Sequence, residues 1–272
     1  MTEAARAVSL ELDSPELAAT YDAVSTRQFD HGKLLIADLA LKPGERVLDI
    51  GCGTGRLGAY VADQVAPNGN VVGIDPLPLR IDLASKKSAR FQASVGRAED
   101  LSAFANDSFD AAYANSVFHW VQDKPRALKE ALRVLRGGGR FGVNSADGDR
   151  AHESAALVRA AVLAEGLNDE AAASGFGTNF RVNGAELEGL LLEAGFADVR
   201  VVARTFVDEL AGVDDLLSWS KSSSFGNFLS GVTANDLARL KSRLTADLEA
   251  RRRNGKIQLE RYLVFAVARK PS

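Results

Sequence analysis

The chain is poor in the residues that build covalent or metal-bound frameworks. Among its 272 residues there is a single cysteine, Cys52, which excludes an internal disulfide and a multi-cysteine zinc site. The three histidines, His31, His119 and His152, lie far apart in the sequence and show no metal-ligand spacing. We therefore expect no metal ion in the functional site. A chain of this length can bury an ample hydrophobic core without such cross-links.

Net charge and long apolar runs are also scarce. The formal net charge of −3 argues against a nucleic-acid binder that depends on phosphate contacts. The basic run Arg251–Arg253 follows a leucine stripe of helical spacing, so we interpret it as a solvated helix end. No apolar run approaches the ~18 residues of a membrane span, and the N-terminus lacks a basic-then-apolar signal pattern. We expect a cytoplasmic protein that binds neither nucleic acid nor membranes; a homodimer is compatible with the sequence.

Short apolar runs alternate with segments of helical periodicity from about residue 44 to 146. The predicted strands are Arg46–Ile50, Asn70–Asp75, Phe91–Val95, Phe109–Ala114, Arg140–Asn144, Asp198–Phe206 and Ile257–Ala268. Helices are predicted between the first strands, over Arg56–Val65, Leu79–Ser88 and Lys124–Arg136. This alternation predicts an α/β fold, a doubly wound, mostly parallel seven-stranded sheet with an antiparallel last strand and a helical cover.

The two flanks of this core are predicted to be mainly helical. One helix is expected from Arg27 to Leu41, and another from Ala185 to Ala194, where Gly195 ends it. Between Asn144 and that second helix the sequence lacks strand signals. We expect helices there and a loop around Ser174–Thr178.

The most informative segment is the glycine-rich run Val47–Gly55, VLDIGCGTG. An apolar strand enters a turn in which glycines permit close approach of a ligand to the backbone, and a helix N-terminus with unpaired N–H groups follows. About twenty residues later Asp75 ends the next strand, where a carboxylate can accept both hydroxyls of a ribose. Two adjacent strand ends with these groups predict a nucleoside site.

The kind of nucleoside is decided by Asp49. The spacing Gly53-x-Gly55-x-x-Gly58 formally matches a dinucleotide-binding fingerprint, with Asp75 at a compatible distance. However, the Asp49 carboxylate lies two residues before Gly51, where it suits an ammonium or sulfonium ligand better than a pyrophosphate. Two structural alternatives stay open: Asp49 can satisfy backbone groups in the turn, and Asp75 can cap a helix.

These segments resemble the class I S-adenosylmethionine-dependent methyltransferases. VLDIGCGTG is similar to their first motif and VVGIDP to their second. GRAEDL is similar to the segment after the third strand, and SFDAA with the helix and glycine turn after it to the fourth strand region. The final LERYLVFAVARKP is similar to their last strand. The resemblance implies a Rossmann-like methyltransferase fold, with S-adenosylmethionine as cofactor and S-adenosylhomocysteine as its product.

The resemblance also implies roles for individual residues. Gly51 and Gly53 would approach the methionyl part with Asp49 near its amino group, and Asp75 would hold the ribose. Ala98 and Glu99 would lie at the adenine edge. The cofactor-binding residues predicted in this way are Asp49, Gly51, Cys52, Gly53, Asp75, Pro76, Ala98, Glu99 and Asn115. Cys52 is interpreted as a small filler of the loop rather than a nucleophile.

The acceptor should meet the cofactor at the carboxyl ends of the strands, where Ser116–Trp120 follows the fourth strand. His119 is the titratable side chain best placed to act as a base there, and it can equally pack the turn together with Trp120. The FHWV stretch resembles the small-acid branch of the superfamily, which includes trans-aconitate and malonyl-carrier-protein methyltransferases; relatives of the ubiquinone-menaquinone type are also similar.

Candidates on the acceptor side also come from both flanks. The segment Tyr21–Phe29 resembles the lid helix of such sites, with Tyr21 as a second catalytic candidate. The predicted acceptor pocket contains Gln28, His31, Trp120 and Arg181. Aromatic residues of the helical cover, which suit an acceptor pocket and core packing equally well, are Phe176, Phe180, Trp219, Phe225 and Phe228.

We therefore expect lid helices in residues 1–43, a cofactor-binding α/β core in residues 44–146, and a helical acceptor-side cover with the final strands in residues 147–272. The expected function is methyl transfer from S-adenosylmethionine to a small-molecule acceptor by in-line displacement, a reaction in which the protein mainly positions the reactants. An NAD(P)-dependent oxidoreductase and a non-catalytic S-adenosylmethionine-binding module are the alternatives.

Overall fold

The computed structural model describes residues 9–167 and 180–272. The predicted loop Ser174–Thr178 and the aromatic residue Phe176 lie outside these residues. The α-helices are α1 (Pro15–Val24), α2 (Thr26–Leu39), α3 (Arg56–Gln64), α4 (Pro78–Ala84), α5 (Lys124–Val134), α6 (Glu153–Ala164), α7 (Gly184–Ala194), α8 (Val213–Ser223) and α9 (Ala234–Glu249). The strands are β1 (Arg46–Ile50), β2 (Asn70–Asp75), β3 (Phe91–Val95), β4 (Phe109–Asn115), β5 (Leu135–Ala146), β6 (Ala197–Leu210), β7 (Arg252–Arg253) and β8 (Lys256–Arg269).

Local capping chemistry sets where several helices begin and end. Asn183 and Glu186 form a reciprocal capping box at the start of α7, and Gly195 ends that helix in the left-handed conformation, as its sequence predicts. The side chain of Asp123 caps α5 through the backbone N–H of Arg126. These caps satisfy backbone groups that the helix ends leave unpaired.

The strand order is β3-β2-β1-β4-β5-β8-β6, with β7 paired to β8. The pairs β1–β2, β1–β4, β2–β3 and β4–β5 are parallel, whereas β5 and β8 are antiparallel. The predicted α/β fold, with a mostly parallel sheet and an antiparallel last strand, is confirmed. The order reverses between β1 and β4, which is where doubly wound sheets place their ligands.

Among residues 9–167 and 180–272 the sheet contains eight strands, one more than the seven predicted, and the additional strand corrects the interpretation of Arg251–Arg253. Helix α9 ends at Glu249, and Arg252–Arg253 pair with β8 in an antiparallel hairpin instead of closing the helix. The turn is Asn254-Gly255, with φ of +50° and +78°. Two positive φ values match the twist of a two-residue hairpin, and Asn-Gly is the dipeptide that adopts them at low cost.

The chain divides into two compact units. The first, here called the core unit, contains Thr26–Asp149, Phe180–Arg204 and Leu263–Ser272. Leu48 and Ile50 of β1 face a buried cluster to which α5 and α7 contribute Leu128 and Leu191. On the opposite face α2 packs Leu35 and Leu39 against the position of Gly142 in β5. Helices therefore cover both faces of this part of the sheet.

The second unit contains the described residues of Met1–Ser25, Arg150–Asn179 and Thr205–Tyr262. Its core is a separate apolar cluster in which Leu240, Leu244 and Leu248 of α9 are fully buried. Leu237, the first member of the predicted stripe on α9, is 39% exposed, so the buried stripe begins one turn later. In residues 9–167 and 180–272 no helix is long and apolar enough to span a bilayer.

Candidate functional site

The glycine loop after β1 has a backbone that depends on glycine. Gly51, Gly53 and Gly55 have φ of +77°, +54° and +80°, in the left-handed region that side chains disfavour. The N–H groups of Gly51 and Cys52 both donate to the carbonyl of Ile74, at 2.7 and 2.9 Å, and this links the loop to the end of β2. A Cβ on Gly51 would lie 2.3 Å from the Val117 side chain. The loop is therefore closed against the β4–α5 connection, and only glycine fits at position 51.

Asp75 links the ends of β1 and β2. Its Oδ2 accepts from the N–H of Gly53 at 2.9 Å, and its Oδ1 accepts from the N–H of Leu77 at 3.0 Å. Leu77 is itself the N-cap residue of α4 and makes no side-chain cap bond, so Asp75 joins two loops rather than acting as a simple helix cap. Both oxygens of this carboxylate therefore hold the loops at the ends of β1 and β2 together.

Asp49 is the buried acid of this region. It is 2% exposed, and its Oδ2 has no hydrogen-bond partner among the described residues. Burial raises the pKa of Asp49 to about 7; the nearby Tyr113 hydroxyl opposes this shift, and the Asp75 charge adds to it. The alternative in which Asp49 only satisfies backbone groups of the turn leaves this orphan oxygen unexplained, because a buried carboxylate oxygen without a donor is costly.

Tyr113 lies beside Asp49 because the two residues pair in the parallel register of β1 and β4. Its side chain is fully buried, and its Oη, like Asp49 Oδ2, meets hydrogen-bond geometry with no described residue. Burial and the Asp49 charge raise the pKa of Tyr113 well above its ordinary value, so the hydroxyl keeps its proton. Tyr113 is not predicted from the sequence, because only the strand register shows that it neighbours Asp49.

Cys52 is buried in the loop between these acids. Burial, together with the charges of Asp49 and Asp75, raises the pKa of its thiol well above the ordinary value. A thiol that keeps its proton is a poor nucleophile. This environment favours the interpretation of Cys52 as a small loop residue.

Two asparagines connect the ends of β4 and β5 with α2. Asn115 Nδ2 donates to the backbone carbonyl of Gln28 at 3.0 Å, and Asn115 Oδ1 accepts from Asn144 Nδ2 at 2.7 Å. Asn144 Oδ1 in turn accepts from the N–H of Ser116 at 2.6 Å. Asn144 is fully buried and was missed by the sequence analysis. Its signal was an asparagine at the end of an otherwise apolar strand.

The adenine-edge candidates Ala98 and Glu99 follow β3, and the charge of Glu99 acts on a buried lysine, Lys124, which the sequence predicts only as the start of a helix. Lys124 Nζ donates to the carbonyl of Val121 at 2.7 Å and lies 5.2 and 5.4 Å from the ring centroids of Phe118 and Phe180. Burial lowers the pKa of Lys124 to about 8, and attraction by Glu99 opposes this shift. Phe180, from the predicted aromatic set, therefore packs on a cation.

His119 and Trp120 belong to a 3-10 turn, Phe118–Trp120, directly after β4. The Nδ1 atom of His119 accepts from the N–H of Ala146, at the end of β5, at 3.4 Å. The rings of His119 and Trp120 are 5.5 Å apart. Because Nδ1 faces a donor, the neutral ring carries its proton on Nε2.

The remaining candidates are less closely connected to these groups. His31 is buried on α2, and burial lowers the pKa of Arg181. Tyr21 belongs to α1, in the second unit, so its catalytic role stays a prediction. Phe225 and Phe228 are buried within that unit, as core packing predicts.

Residues 48–143 match the family described as a methyltransferase domain. The chain is 33% identical over 137 residues to a demethylmenaquinone methyltransferase of Symbiobacterium thermophilum, covering 46% of this chain and 54% of that protein. It is 28% identical over 203 residues to a trans-aconitate 2-methyltransferase of Deinococcus radiodurans, covering 73% and 76%. This chain spans little more than half the length of the demethylmenaquinone methyltransferase and of one further curated relative.

The fold has solved counterparts. The YcgJ protein of Bacillus subtilis superposes with a TM-score of 0.59 at 22% identity, covering 89% of this chain and 99% of that one. At this identity the likeness concerns the fold alone. It agrees with the strand order and the helices on both faces of the core unit.

Proposed function

We propose that this chain, which belongs to the class I S-adenosylmethionine-dependent methyltransferase superfamily, transfers a methyl group from S-adenosylmethionine to a small-molecule acceptor. The observation that carries the proposal is the group of residues at the switch point of the sheet: a glycine loop in the left-handed conformation, with Asp49 and Asp75 at neighbouring strand ends. In-line transfer from a sulfonium requires mainly alignment of the two reactants, which can contribute ~7–11 kcal/mol of barrier reduction.

The residues present fit this cofactor. The buried, unpartnered Asp49 Oδ2 suits the ammonium of the methionyl part, because a cation supplies the donor that the carboxylate lacks. Gly53 has φ of +54° and carries no side chain, so the loop backbone at this position permits close approach of a ligand. Asp75, which already accepts two backbone N–H groups, is proposed to accept the ribose hydroxyls. Ala98 and Glu99 are proposed to lie at the adenine.

The acceptor side is proposed to use His119 as a hydrogen-bond donor. Its Nδ1 faces the N–H of Ala146, so a neutral His119 presents N–H, not a lone pair, at Nε2. A donor there suits an acceptor oxygen that arrives without a proton, such as a carboxylate, for which no base is required. The trans-aconitate 2-methyltransferase of Deinococcus radiodurans is a relative named for a small acid, and this supports a small acceptor of that kind.

The charge balance supports a small acceptor over a polyanion. The formal net charge is −3, and Arg252 of the basic run is paired with Glu249 and the carbonyl of Gly255. A nucleic-acid groove requires an exposed basic surface. We therefore propose that the acceptor is not a nucleic acid.

Two measurements test the proposal in order. Calorimetric titration should show binding of S-adenosylhomocysteine and none of NADH; the reverse result would identify an oxidoreductase. Incubation with methyl-labelled S-adenosylmethionine and a panel of small carboxylic, phenolic and amine acceptors should then yield a labelled product by mass spectrometry. Cofactor binding without transfer to any acceptor, including small-molecule extracts, would instead indicate a non-catalytic binding module.

The role of His119 has its own test. If His119 donates a hydrogen bond to the acceptor, His119→Gln, which keeps a donor, should retain more activity than His119→Ala and leave the pH profile of kcat unchanged. If His119 is a base, both variants should lose activity alike and the acidic limb of the pH profile should disappear. Equal, full activity of both variants would remove His119 from the site.

A further inference from the structure

Asp49 and Tyr113 are neighbouring buried side chains of the core unit, and Asp49 Oδ2 and Tyr113 Oη each meet hydrogen-bond geometry with no described residue. Leaving one such atom unsatisfied costs about 1–3 kcal/mol, so two together call for an explanation. Both side chains leave the same face of the sheet, since their residues pair directly in register.

We infer that Tyr113 is a positioning residue that orients and helps to ionise the Asp49 carboxyl, and that binding of an ammonium-bearing ligand expels into solvent the proton held by the protonated fraction of Asp49. This inference rests on the proposed function, because the ligand is the methionyl part of the cofactor. The O–H bond of Asp49 breaks, the proton passes to buffer, and the carboxylate left behind pairs with the ammonium. Tyr113 keeps its own proton and supplies its O–H to the carboxylate.

The surroundings of Asp49 determine its charge state. Burial and the Asp75 carboxylate both disfavour a second negative charge there, whereas the Tyr113 hydroxyl favours it, and the result is a pKa of about 7. Cys52 is also close, but its thiol keeps its proton. The free chain at neutral pH therefore holds Asp49 divided between its two protonation states.

The helices on this face contribute few competing charges. On α2 the two aspartates form ion pairs, Asp30 with Lys33 and Asp38 with Arg204. The buried titratable side chain of this helix is His31. On α3, the guanidinium of Arg56 lies over the ring of Phe29, at 5.1 Å from the centroid. His31 is thus the other titratable side chain that the experiment has to distinguish from Asp49.

The size of the effect follows from linkage. A neighbouring cation lowers a carboxyl pKa by about 1–3 units, so a bound value near 5 against a free value of about 7 predicts release of about half a proton at pH 7. Release should fall to about one tenth of a proton at pH 8. The same difference in the pKa of Asp49 predicts that the affinity for the ligand falls about tenfold when the pH is lowered from 8 to 6.

The test is calorimetry of S-adenosylhomocysteine binding to the full chain at pH 6, 7 and 8, each in buffers of different ionisation enthalpy, which counts protons directly. Asp49→Asn should abolish the release and flatten the pH dependence of Kd. Tyr113→Phe should raise the pH at which half a proton is released and increase the release at pH 8. Tyr60→Phe is the matched control, because Tyr60 packs on Phe29 of α2 and should leave the proton count unchanged.

A second readout does not require ligand. In the free chain labelled with carboxyl-13C aspartate, the resonance lost in Asp49→Asn should titrate near pH 7 and shift to higher pH in Tyr113→Phe. A resonance with an ordinary carboxyl midpoint would overturn the inference even if a variant binds poorly.

The outcomes separate the inference from the proposed function. Tight binding with no buffer-dependent enthalpy would overturn the proton release and leave the methyltransferase proposal standing. Release that persists in Asp49→Asn would assign the proton to His31 or another group and overturn the role of Asp49. If Tyr113→Phe leaves the pH of half-release unchanged, Tyr113 has no positioning role toward Asp49. A folded wild-type chain that fails to bind S-adenosylhomocysteine would overturn both proposals.

Discussion

Replacing Asp49 by asparagine should stabilise the ligand-free chain while weakening its affinity for S-adenosylhomocysteine. Asparagine has nearly the shape of a protonated aspartate and has no charge to desolvate. The carboxylate of Asp49 is 2% exposed, and one of its oxygens has no partner among the described residues, so the wild-type chain holds a charge where it is poorly solvated. Ligand affinity should fall because the ammonium loses its charged partner.

The magnitude follows from the pKa of Asp49. The folded chain retains the proton up to about pH 7, whereas the unfolded chain releases it near the ordinary value of 3.8. The folded state therefore binds more protons between these two values, and the free energy of unfolding falls as pH rises through that window. About three pKa units at about 1.4 kcal/mol each set an upper limit of about 4 kcal/mol above pH 8, of which roughly 2–3 kcal/mol should develop between pH 5 and pH 8.

The assay is urea unfolding of the ligand-free chain at pH 4, 5, 6, 7 and 8. The chain has two tryptophans, so a Trp219→Phe background leaves Trp120, in the core unit, as the fluorescent reporter of that unit. Asp49→Asn should be more stable than the parent at pH 8 and nearly equal to it at pH 4. The matched control is Asp82→Asn at the exposed surface of α4, which should change stability by no more than about 0.5 kcal/mol. Destabilisation by Asp49→Asn at pH 8 would refute the reasoning, because it would mean that the carboxylate is well paired in the folded state.

Three further predictions concern neighbouring positions. Gly51→Ala should destabilise the chain more than Gly44→Ala, because both positions have positive φ but only a Cβ at position 51 meets a side chain, that of Val117 at 2.3 Å. In urea unfolding, the double variant Gly51→Ala with Val117→Ala should recover the steric part of this loss. Equal losses of stability at the two glycines would contradict the prediction. The free energy of unfolding should rise by up to about 2 kcal/mol from pH 8 to pH 10, because the pKa of Lys124 is lowered to about 8 in the folded chain from an ordinary value of 10.5. Lys124→Met should lose this rise, and an unchanged slope would show that the amine is well solvated. Asp75→Ala should weaken S-adenosylhomocysteine binding by ~1.5–3 kcal/mol in calorimetry, and an unchanged Kd would remove Asp75 as the ribose ligand.

The alternation of apolar strands with amphipathic helices could be predicted from the sequence, because buried parallel strands are continuous apolar runs. The helices between them show a clear helical periodicity of apolar residues. It predicted most strand positions within a few residues. The hairpin that creates β7 was missed, although Asn254-Gly255 is a strong turn signal, because the arginines before it were assigned to the preceding helix.

The site divides in the same way. The glycine loop and Asp75 are local signals, since their chemistry is set by neighbours in sequence: positive φ values, a helix N-terminus and a strand end. Lys124 and Asn144 were missed because their roles depend on residues far away in the chain, among them Phe180 and Asn115.

The sequence alone therefore determined the fold class, the cofactor family and the position of the glycine loop, because these follow from local periodicity and from a short motif. Tertiary structure alone decided the electrostatics of the site. The register of β1 against β4 places Tyr113 beside Asp49, and burial between packed layers moves the pKa of that acid to about 7. Burial and cross-strand proximity are properties of the folded chain, and no spacing along the sequence encodes them directly.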